Sequence, residues 1–141
     1  MDSLSGLRVL VVEDEVLVAW LLQDMLAGFG CAVVGPAARV NEALAMIEAG
    51  GIDAAVLDIN LNGQKSYRVA DALAAGGIPF VFSTGYGKGR FPEGYCSFAV
   101  LQKPYQSTEL RDALTQLLNS KEVAHFQAAE QPSPQGSRTA T

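Results

Sequence analysis

The side chains that could do chemistry in this chain stand where predicted strands end. Asp58 closes the short apolar run 54–57, and a turn pair, Asn62-Gly63, follows soon after. A run of this length and composition predicts a buried strand rather than a helix. Because open α/β folds place their ligand sites at the carboxyl ends of parallel strands, we predict that Asp58 lies at the mouth of a site.

Other polar side chains follow the neighbouring predicted strands. Glu13 and Asp14 come after the first strand, Thr84 after the fourth and Lys103 after the fifth. Carboxylates gathered at one sheet edge repel one another and have raised pKa values unless a cation is present. Mg²⁺ prefers such oxygen ligands, and it combines one or two carboxylates with waters and a phosphate oxygen. The sequence therefore predicts a magnesium site formed by Glu13, Asp14 and Asp58.

The remaining two groups suit a phosphoryl ligand. Lys103 offers a compact positive charge, and Thr84 offers a hydroxyl donor. Phosphoryl transfer is catalysed mainly by positioning and charge neutralisation, for which acids, a metal, a hydroxyl and an ammonium group are sufficient. A carboxylate nucleophile would form an aspartyl phosphate.

The elements that must position these groups alternate regularly between strand and helix. Glycine pairs, prolines and polar turns separate the apolar runs from amphipathic stretches, which indicates βαβ units and a parallel sheet. We expect Asn41 to cap the second helix and Trp20 to be buried or half-buried on the first. Residues 84–97 are rich in glycine, so the fourth helix is expected to be short or absent. The predicted strands are 8–12, 31–37, 54–57, 80–83 and 99–101, and the last helix is predicted over about 107–119.

Length and composition limit the class of protein. The 141 residues, 49% of them hydrophobic, predict one domain over 1–120 and a flexible tail over 121–141. A net charge of −5 argues against a nucleic-acid surface. No apolar run is long enough to cross a membrane, no leader pattern is visible, and the two cysteines lack metal-ligand spacing. We expect a cytoplasmic protein without membrane insertion.

Taken together, the strand-end residues resemble those of the receiver domain of two-component response regulators, from about Leu7 to Asn119. The resemblance implies an α/β, doubly wound, flavodoxin-like fold. Its five-stranded parallel sheet would have the order 2-1-3-4-5, with helices on both faces. It also implies that Asp58 is the phosphoacceptor. The resemblance further implies that Glu13, Asp14 and the Asn60 carbonyl bind Mg²⁺. Thr84 and Lys103 would contact the phosphoryl group, and Pro104 matches the proline that follows the lysine in the family.

Two positions depart from the family pattern. Val100 stands where the family usually has a switch tyrosine or phenylalanine. Asn62 stands where a proline is common, so we expect that loop to be more mobile. The segment 82–86 resembles a Phe-Ala-Thr-Gly signature found in a subgroup of receivers, mainly alphaproteobacterial, that also lack the aromatic residue. Some members of that subgroup work with histidine kinases of the HWE type.

The leading hypothesis is a single-domain response regulator that takes a phosphoryl group from a histidine kinase or a phosphotransfer protein onto Asp58. It would not be a turnover enzyme, and its output would be protein docking or service as a phosphate sink. The alternative is a receiver-like docking module that works without phosphorylation. A metal-dependent phosphohydrolase fits less well, because Asn60 stands where such a site carries its second acid. A nucleotide-binding protein is weaker still, because no glycine-rich phosphate loop follows the first strand.

Overall fold

The structure, a computed structural model, describes residues 4–85 and 99–130, with side chains described at 4–85 and 100–119. Strands and helices alternate along it as the apolar pattern predicts. The strands are β1 (Arg8–Val12), β2 (Ala32–Ala37), β3 (Ala54–Asp58), β4 (Asn60–Leu61), β5 (Gln64–Lys65), β6 (Phe80–Thr84) and β7 (Ala99–Gln102). The helices are α1 (Val16–Gly28), α2 (Val40–Ala49), α3 (Tyr67–Ala75) and α4 (Ser107–Glu130).

Five of these strands form one parallel sheet in the order β2-β1-β3-β6-β7. Numbered along the main sheet alone, this is the predicted order 2-1-3-4-5, so the flavodoxin-like α/β fold is confirmed. The two remaining strands, β4 and β5, form a small antiparallel hairpin directly after β3.

Two hydrophobic cores lie on opposite faces of the sheet. Successive side chains of a strand point to opposite faces, so neighbouring residues of β3 belong to different cores. Leu57 packs with α2 and α3, whereas Val56 packs with α1 and α4. All five residues of β3 are buried. The strand that ends on Asp58 is therefore covered on both sides, as expected for a central parallel strand.

The strand register brings the predicted site residues to one edge. Val12 pairs with Leu57, and Asp58 pairs with Ser83. In turn, Thr84 pairs with Gln102, directly before Lys103. The connections after β1, β3, β6 and β7 consequently meet at the carboxyl edge of the sheet.

Trp20 is 66% exposed, so the prediction that it is buried or half-buried is wrong. Helix α1 is apolar around most of its circumference, and composition alone does not show which face meets the sheet. The buried face contains Ala19, Leu22 and Leu26, at helical spacing. Trp20 lies about 100° around the helix from Ala19 and faces outward.

The ends of two other helices also differ from prediction. Arg39, rather than Asn41, is the N-cap of α2, and the Glu42 carboxylate accepts a hydrogen bond from the Ala38 N–H at 2.9 Å. Helix α4 continues past Asn119 to Glu130, through a stretch rich in alanine, glutamate and glutamine, which are good helix formers. The flexible tail stays a prediction, and the expected short fourth helix falls in 86–98, outside the described residues. No helix in the described part of the chain is long and apolar enough to cross a membrane.

Candidate metal centre

Three carboxylates converge at the carboxyl edge of the sheet. Glu13 and Asp14 lie in the connection from β1 to α1, and Asp58 is the last residue of β3. One ligand oxygen from each lies within 4.8 Å of the others. Glu13 and Asp58 are 3% and 7% exposed, respectively. The three acids predicted from sequence are thus brought together by two neighbouring parallel strands.

Lys103 supplies the positive charge at this edge. Its Nζ lies 3.0 Å from Glu13 Oε1 and 3.4 Å from Asp58 Oδ2. The Lys103 backbone N–H donates to the Thr84 carbonyl at 2.7 Å, which fixes the end of β7 against the end of β6. The lysine reaches the acids because β7, β6 and β3 are consecutive in the sheet.

Burial dominates the electrostatics of the acids. It raises the pKa of Glu13 to about 7, although the hydrogen bond and charge of Lys103 act in the opposite direction. Burial also raises the pKa of Asp58, again against the lowering effect of Lys103. Burial alone would lower the Lys103 pKa, but the hydrogen bond from its ammonium group to Glu13 and the charges of Asp58 and Glu13 outweigh it and raise that pKa.

These donors fit Mg²⁺. A single lysine does not neutralise three neighbouring carboxylates, and burial, which raises the pKa values of Glu13 and Asp58, opposes their charged forms further. Carboxylate oxygens this close together are the ligand type that Mg²⁺ prefers. Glu13, Asp14 and Asp58 could therefore hold such an ion.

The other predicted residues surround this cluster. Asn60 donates its backbone N–H to Asp58 Oδ1 at 3.4 Å. Thr84 is the last residue of β6 and is 1% exposed. The Lys103–Pro104 peptide bond is cis. Every site residue predicted from sequence lies at this edge, and their roles in phosphoryl transfer stay predictions.

Two residues with contacts at the site were missed by sequence reasoning. Ser66 is fully buried, and its hydroxyl donates to the Asp58 carbonyl at 2.6 Å. Asn62 donates its backbone N–H to Asp14 Oδ2 at 2.7 Å. Ser66 carries no distinctive motif. The Asn62-Gly63 pair predicts a hairpin turn, but it does not predict which residues that turn contacts.

The loop after Asp58 is a β-hairpin. Asn60 pairs with Lys65 and Leu61 with Gln64, while the Leu61 side chain is buried in the core beside α2 and α3. Asn62 and Gly63 both have positive φ, 51° and 82°, as a type I′ turn requires. The expected gain in mobility at Asn62 stays a prediction.

Val100 is partly buried and pairs with Phe82 in the sheet. The Phe82 ring is already packed edge-on against Phe80 and Tyr67, with centroid distances of 5.4 and 6.3 Å. The region beside Val100 thus contains aromatic rings from β6 and α3, although the residue at the usual switch position is aliphatic.

An exposed apolar surface adjoins the metal centre. It consists of Val16, Leu17, Trp20 and Leu21 on α1, which are 59% to 72% exposed. Beside it, a groove of about 150 Å³ runs between α1 and the start of the β7–α4 connection. Lys103 lines this groove, and its Nζ also contacts the acids. The apolar surface therefore begins where the candidate site ends.

Comparisons with known proteins agree with this geometry. A family model described as the response regulator receiver domain matches residues 9–115. The solution structure of SdrG from Sphingomonas melonis Fr1 is 46% identical, with a TM-score of 0.73, over 80% of this chain and 97% of that one. The BeF3-activated conformation of SdrG, from Pseudomonas melonis Fr1, gives 46% identity and a TM-score of 0.71, over 81% and 98%.

A longer protein also contains a similar domain. The response regulator PhyR from Brucella abortus is 27% identical, with a TM-score of 0.75. The match covers 87% of this chain and 52% of PhyR, so this chain corresponds to about half of that protein. Among curated proteins, none matched this chain.

Proposed function

The chain belongs to the receiver-domain family of response regulators, and on that premise we propose that it accepts a phosphoryl group onto Asp58. The donor would be the phosphohistidine of a histidine kinase, such as one of the HWE type, or of a phosphotransfer protein. The observation that carries the proposal is the cluster of three carboxylates at the carboxyl edge of the sheet, whose ligand oxygens lie within 4.8 Å of one another and two of which contact Lys103. The similar SdrG has a BeF3-activated conformation, which supports the same chemistry here.

Asp58 is the nucleophile in this proposal. One of its carboxylate oxygens forms a bond to phosphorus while the bond from phosphorus to the donor imidazole nitrogen breaks, and the electron pair of that bond stays on the imidazole. Asn60 donates its N–H to Asp58 Oδ1, and Ser66 holds the Asp58 carbonyl. Both contacts fix the nucleophile in place before the donor arrives, as catalysis by positioning requires.

Lys103 neutralises the charge that arrives with the phosphoryl group. Its Nζ now lies between Glu13 and Asp58, so a short movement away from Glu13 would bring it to a phosphoryl oxygen on Asp58. Thr84, at the end of β6, supplies a hydroxyl to the same group. Glu13, Asp14, Asp58 and the Asn60 carbonyl would hold Mg²⁺, which would supply the remaining charge neutralisation.

The donor protein would dock on the exposed apolar surface of α1. A phosphohistidine must enter the mouth at Asp58, so its carrier must cover the surface next to Lys103. Within the described part of the chain, the large hydrophobic side chains exposed to solvent all lie on α1. The groove shared by Leu21, Met25 and Lys103 connects this surface to the site. A helical carrier could bury apolar side chains there.

The phosphorylated protein would act by protein docking or as a phosphate sink in a cytoplasmic signalling system. It would not be a turnover enzyme, because the phosphoryl group is received on its own side chain. A docking module that needs no phosphorylation is the alternative. The complete set of acids with Thr84 and Lys103 counts against it, whereas Val100, in place of the usual switch aromatic, leaves it open.

The test is intact-mass measurement after incubation with acetyl phosphate and Mg²⁺. We expect one added phosphoryl group in the wild type and none in Asp58→Asn or in the presence of a chelator. Beryllofluoride should change the amide NMR spectrum of the wild type and leave that of Asp58→Asn unchanged. A wild type that gains no mass and does not respond to beryllofluoride would favour the docking module.

A further inference from the structure

The hairpin β4–β5 contacts two acids of the candidate metal centre through its backbone. The Asn60 N–H donates to Asp58 Oδ1 at 3.4 Å, and the Asn62 N–H donates to Asp14 Oδ2 at 2.7 Å. These two N–H groups, spaced by two residues, thus meet a carboxylate at the end of β3 and a carboxylate in the connection that follows β1.

The contact to Asp14 is the shorter of the two and spans 48 positions of sequence. A hydrogen bond from an N–H to a carboxylate is charge-assisted and about twice as strong as a neutral one. It holds Oδ2 of Asp14 and so fixes the orientation of a carboxylate that belongs to the candidate metal centre. Groups that hydrogen-bond to a metal ligand set its orientation, and their loss typically reduces metal affinity about 10- to 100-fold.

The turn sequence makes this contact possible. Asn62 has φ of 51°, a conformation that asparagine tolerates better than most residues, and Gly63 has φ of 82°. Proline at position 62 would have no N–H to donate, and its ring would hold φ near −65°. The structure therefore gives a specific chemical reason for the absence of proline at this position.

We propose that Asn62 is a positioning residue for the metal centre, and that the β4–β5 hairpin and the metal site are thermodynamically coupled. The Asn62 N–H holds Asp14 in the orientation that binds Mg²⁺, and bound Mg²⁺ in turn holds the hairpin closed. Coupling of this kind is reciprocal by necessity. The inference rests on the metal site of the proposed function but not on phosphoryl transfer.

The experiment compares Mg²⁺ affinity in Asn62→Pro and Asn62→Gly, measured by calorimetry on the full chain. Glycine keeps the N–H and accepts positive φ, so it is the matched control. We expect Asn62→Gly to bind within about twofold of the wild type and Asn62→Pro to bind about tenfold more weakly. Circular dichroism and urea unfolding establish that both variants are folded. Equal affinities for the two variants would overturn the role of Asn62.

Proline also alters the turn itself, so a third variant, Asn62→Ala, separates the two effects. Alanine keeps the N–H but adopts positive φ less readily than asparagine or glycine, so it strains the turn without removing the donor. We expect Asn62→Ala to bind Mg²⁺ more tightly than Asn62→Pro. Binding as weak in Asn62→Ala as in Asn62→Pro would mean that proline acts through the turn alone, and the proposal would be wrong.

Hydrogen exchange tests the reciprocal effect. Mg²⁺ should slow exchange of the backbone amide at position 62 several-fold, both in the wild type and in Asn62→Gly. Unchanged exchange on Mg²⁺ binding would contradict the coupling. If the wild type binds no Mg²⁺ at all, the metal site of the proposed function fails too, whereas wild-type binding without a hairpin effect overturns only this inference.

Discussion

Lys103 Nζ is closer to Glu13 Oε1, at 3.0 Å, than to the Asp58 oxygen that it also contacts. The positive charge of Lys103 therefore offsets the negative charge of Glu13, a candidate metal ligand, more strongly than that of Asp58, the candidate nucleophile. A cation at this position repels any metal ion bound by the same acids.

Lys103→Met is expected to strengthen Mg²⁺ binding while slowing phosphorylation by acetyl phosphate. Removing one positive charge beside Glu13 should raise Mg²⁺ affinity roughly tenfold at pH 8, a change of about 1.4 kcal/mol. Calorimetry measures the affinity, and intact mass over time measures the rate. Arg68→Met makes the same charge change at an exposed position on α3 and should alter neither the Mg²⁺ affinity nor the phosphorylation rate. Weaker Mg²⁺ binding by Lys103→Met would contradict the electrostatic account.

The metal-free protein is expected to lose stability as pH rises from about 4.5 to about 7. Burial raises the Glu13 pKa from 4.5 to about 7, so within this window the folded state binds more protons than the unfolded state. The free energy of unfolding therefore falls with increasing pH. The raised pKa of Asp58 acts with the same sign.

Urea unfolding in the presence of a chelator, repeated across this pH range, measures that slope. Glu13→Gln keeps the shape of the side chain but removes its titration, so its stability should depend less on pH. An equally steep slope in the wild type and in Glu13→Gln would show that Glu13 does not titrate in this window.

Trp20→Ala is expected to slow transfer from a phosphorylated histidine kinase at least about tenfold, the loss typical of an interface hot spot. Transfer from acetyl phosphate should be unchanged, because that donor needs no docking surface. Trp20 is 66% exposed, so stability should change by no more than about 0.5 kcal/mol. Glu48→Ala, on the exposed side of α2, is the control. Equal losses with both donors would place the effect inside the site instead.

Ser66→Ala is expected to destabilise the fold by about 1–3 kcal/mol. Its hydroxyl is buried and donates to the Asp58 carbonyl at 2.6 Å, and the variant leaves that carbonyl without this donor. Thr108→Ala, at an exposed position near the start of α4, should cost no more than about 0.5 kcal/mol. Chemical denaturation compares the two. A change in Ser66→Ala as small as that in Thr108→Ala would mean that this hydrogen bond adds little.

Sequence was most informative where a pattern reflects backbone geometry. Strand ends could be located from apolar runs and turn residues, and parallel strands bring their carboxyl ends to one edge, so Glu13, Asp58 and Lys103 could be placed together. The exposure of Trp20 could not be predicted. Helix α1 is apolar around most of its circumference, so its sequence does not indicate which side meets the sheet.

Contacts between the backbone of one loop and a side chain that is distant in sequence could not be predicted either. The Asn62-Gly63 pair predicts a turn, and the turn is present. The Asn62 N–H reaches Asp14 because of where α1 begins relative to the end of β3. No local sequence pattern predicts this tertiary relationship. Ser66 was missed for the same reason, because serine before a helix has many roles.

The division of the interior into two cores has a consequence for engineering this protein. The apolar surface of α1 is backed by the core that contains Leu22, whereas the β4–β5 hairpin is anchored through Leu61 in the other core. The sheet separates the two cores, but Asp14, which accepts the Asn62 N–H, lies two residues before Val16 at the start of the α1 surface. Neighbouring substitutions do not act additively. A variant selected on α1 for a new donor protein should therefore also change Mg²⁺ affinity, and the two properties form one coupled design problem.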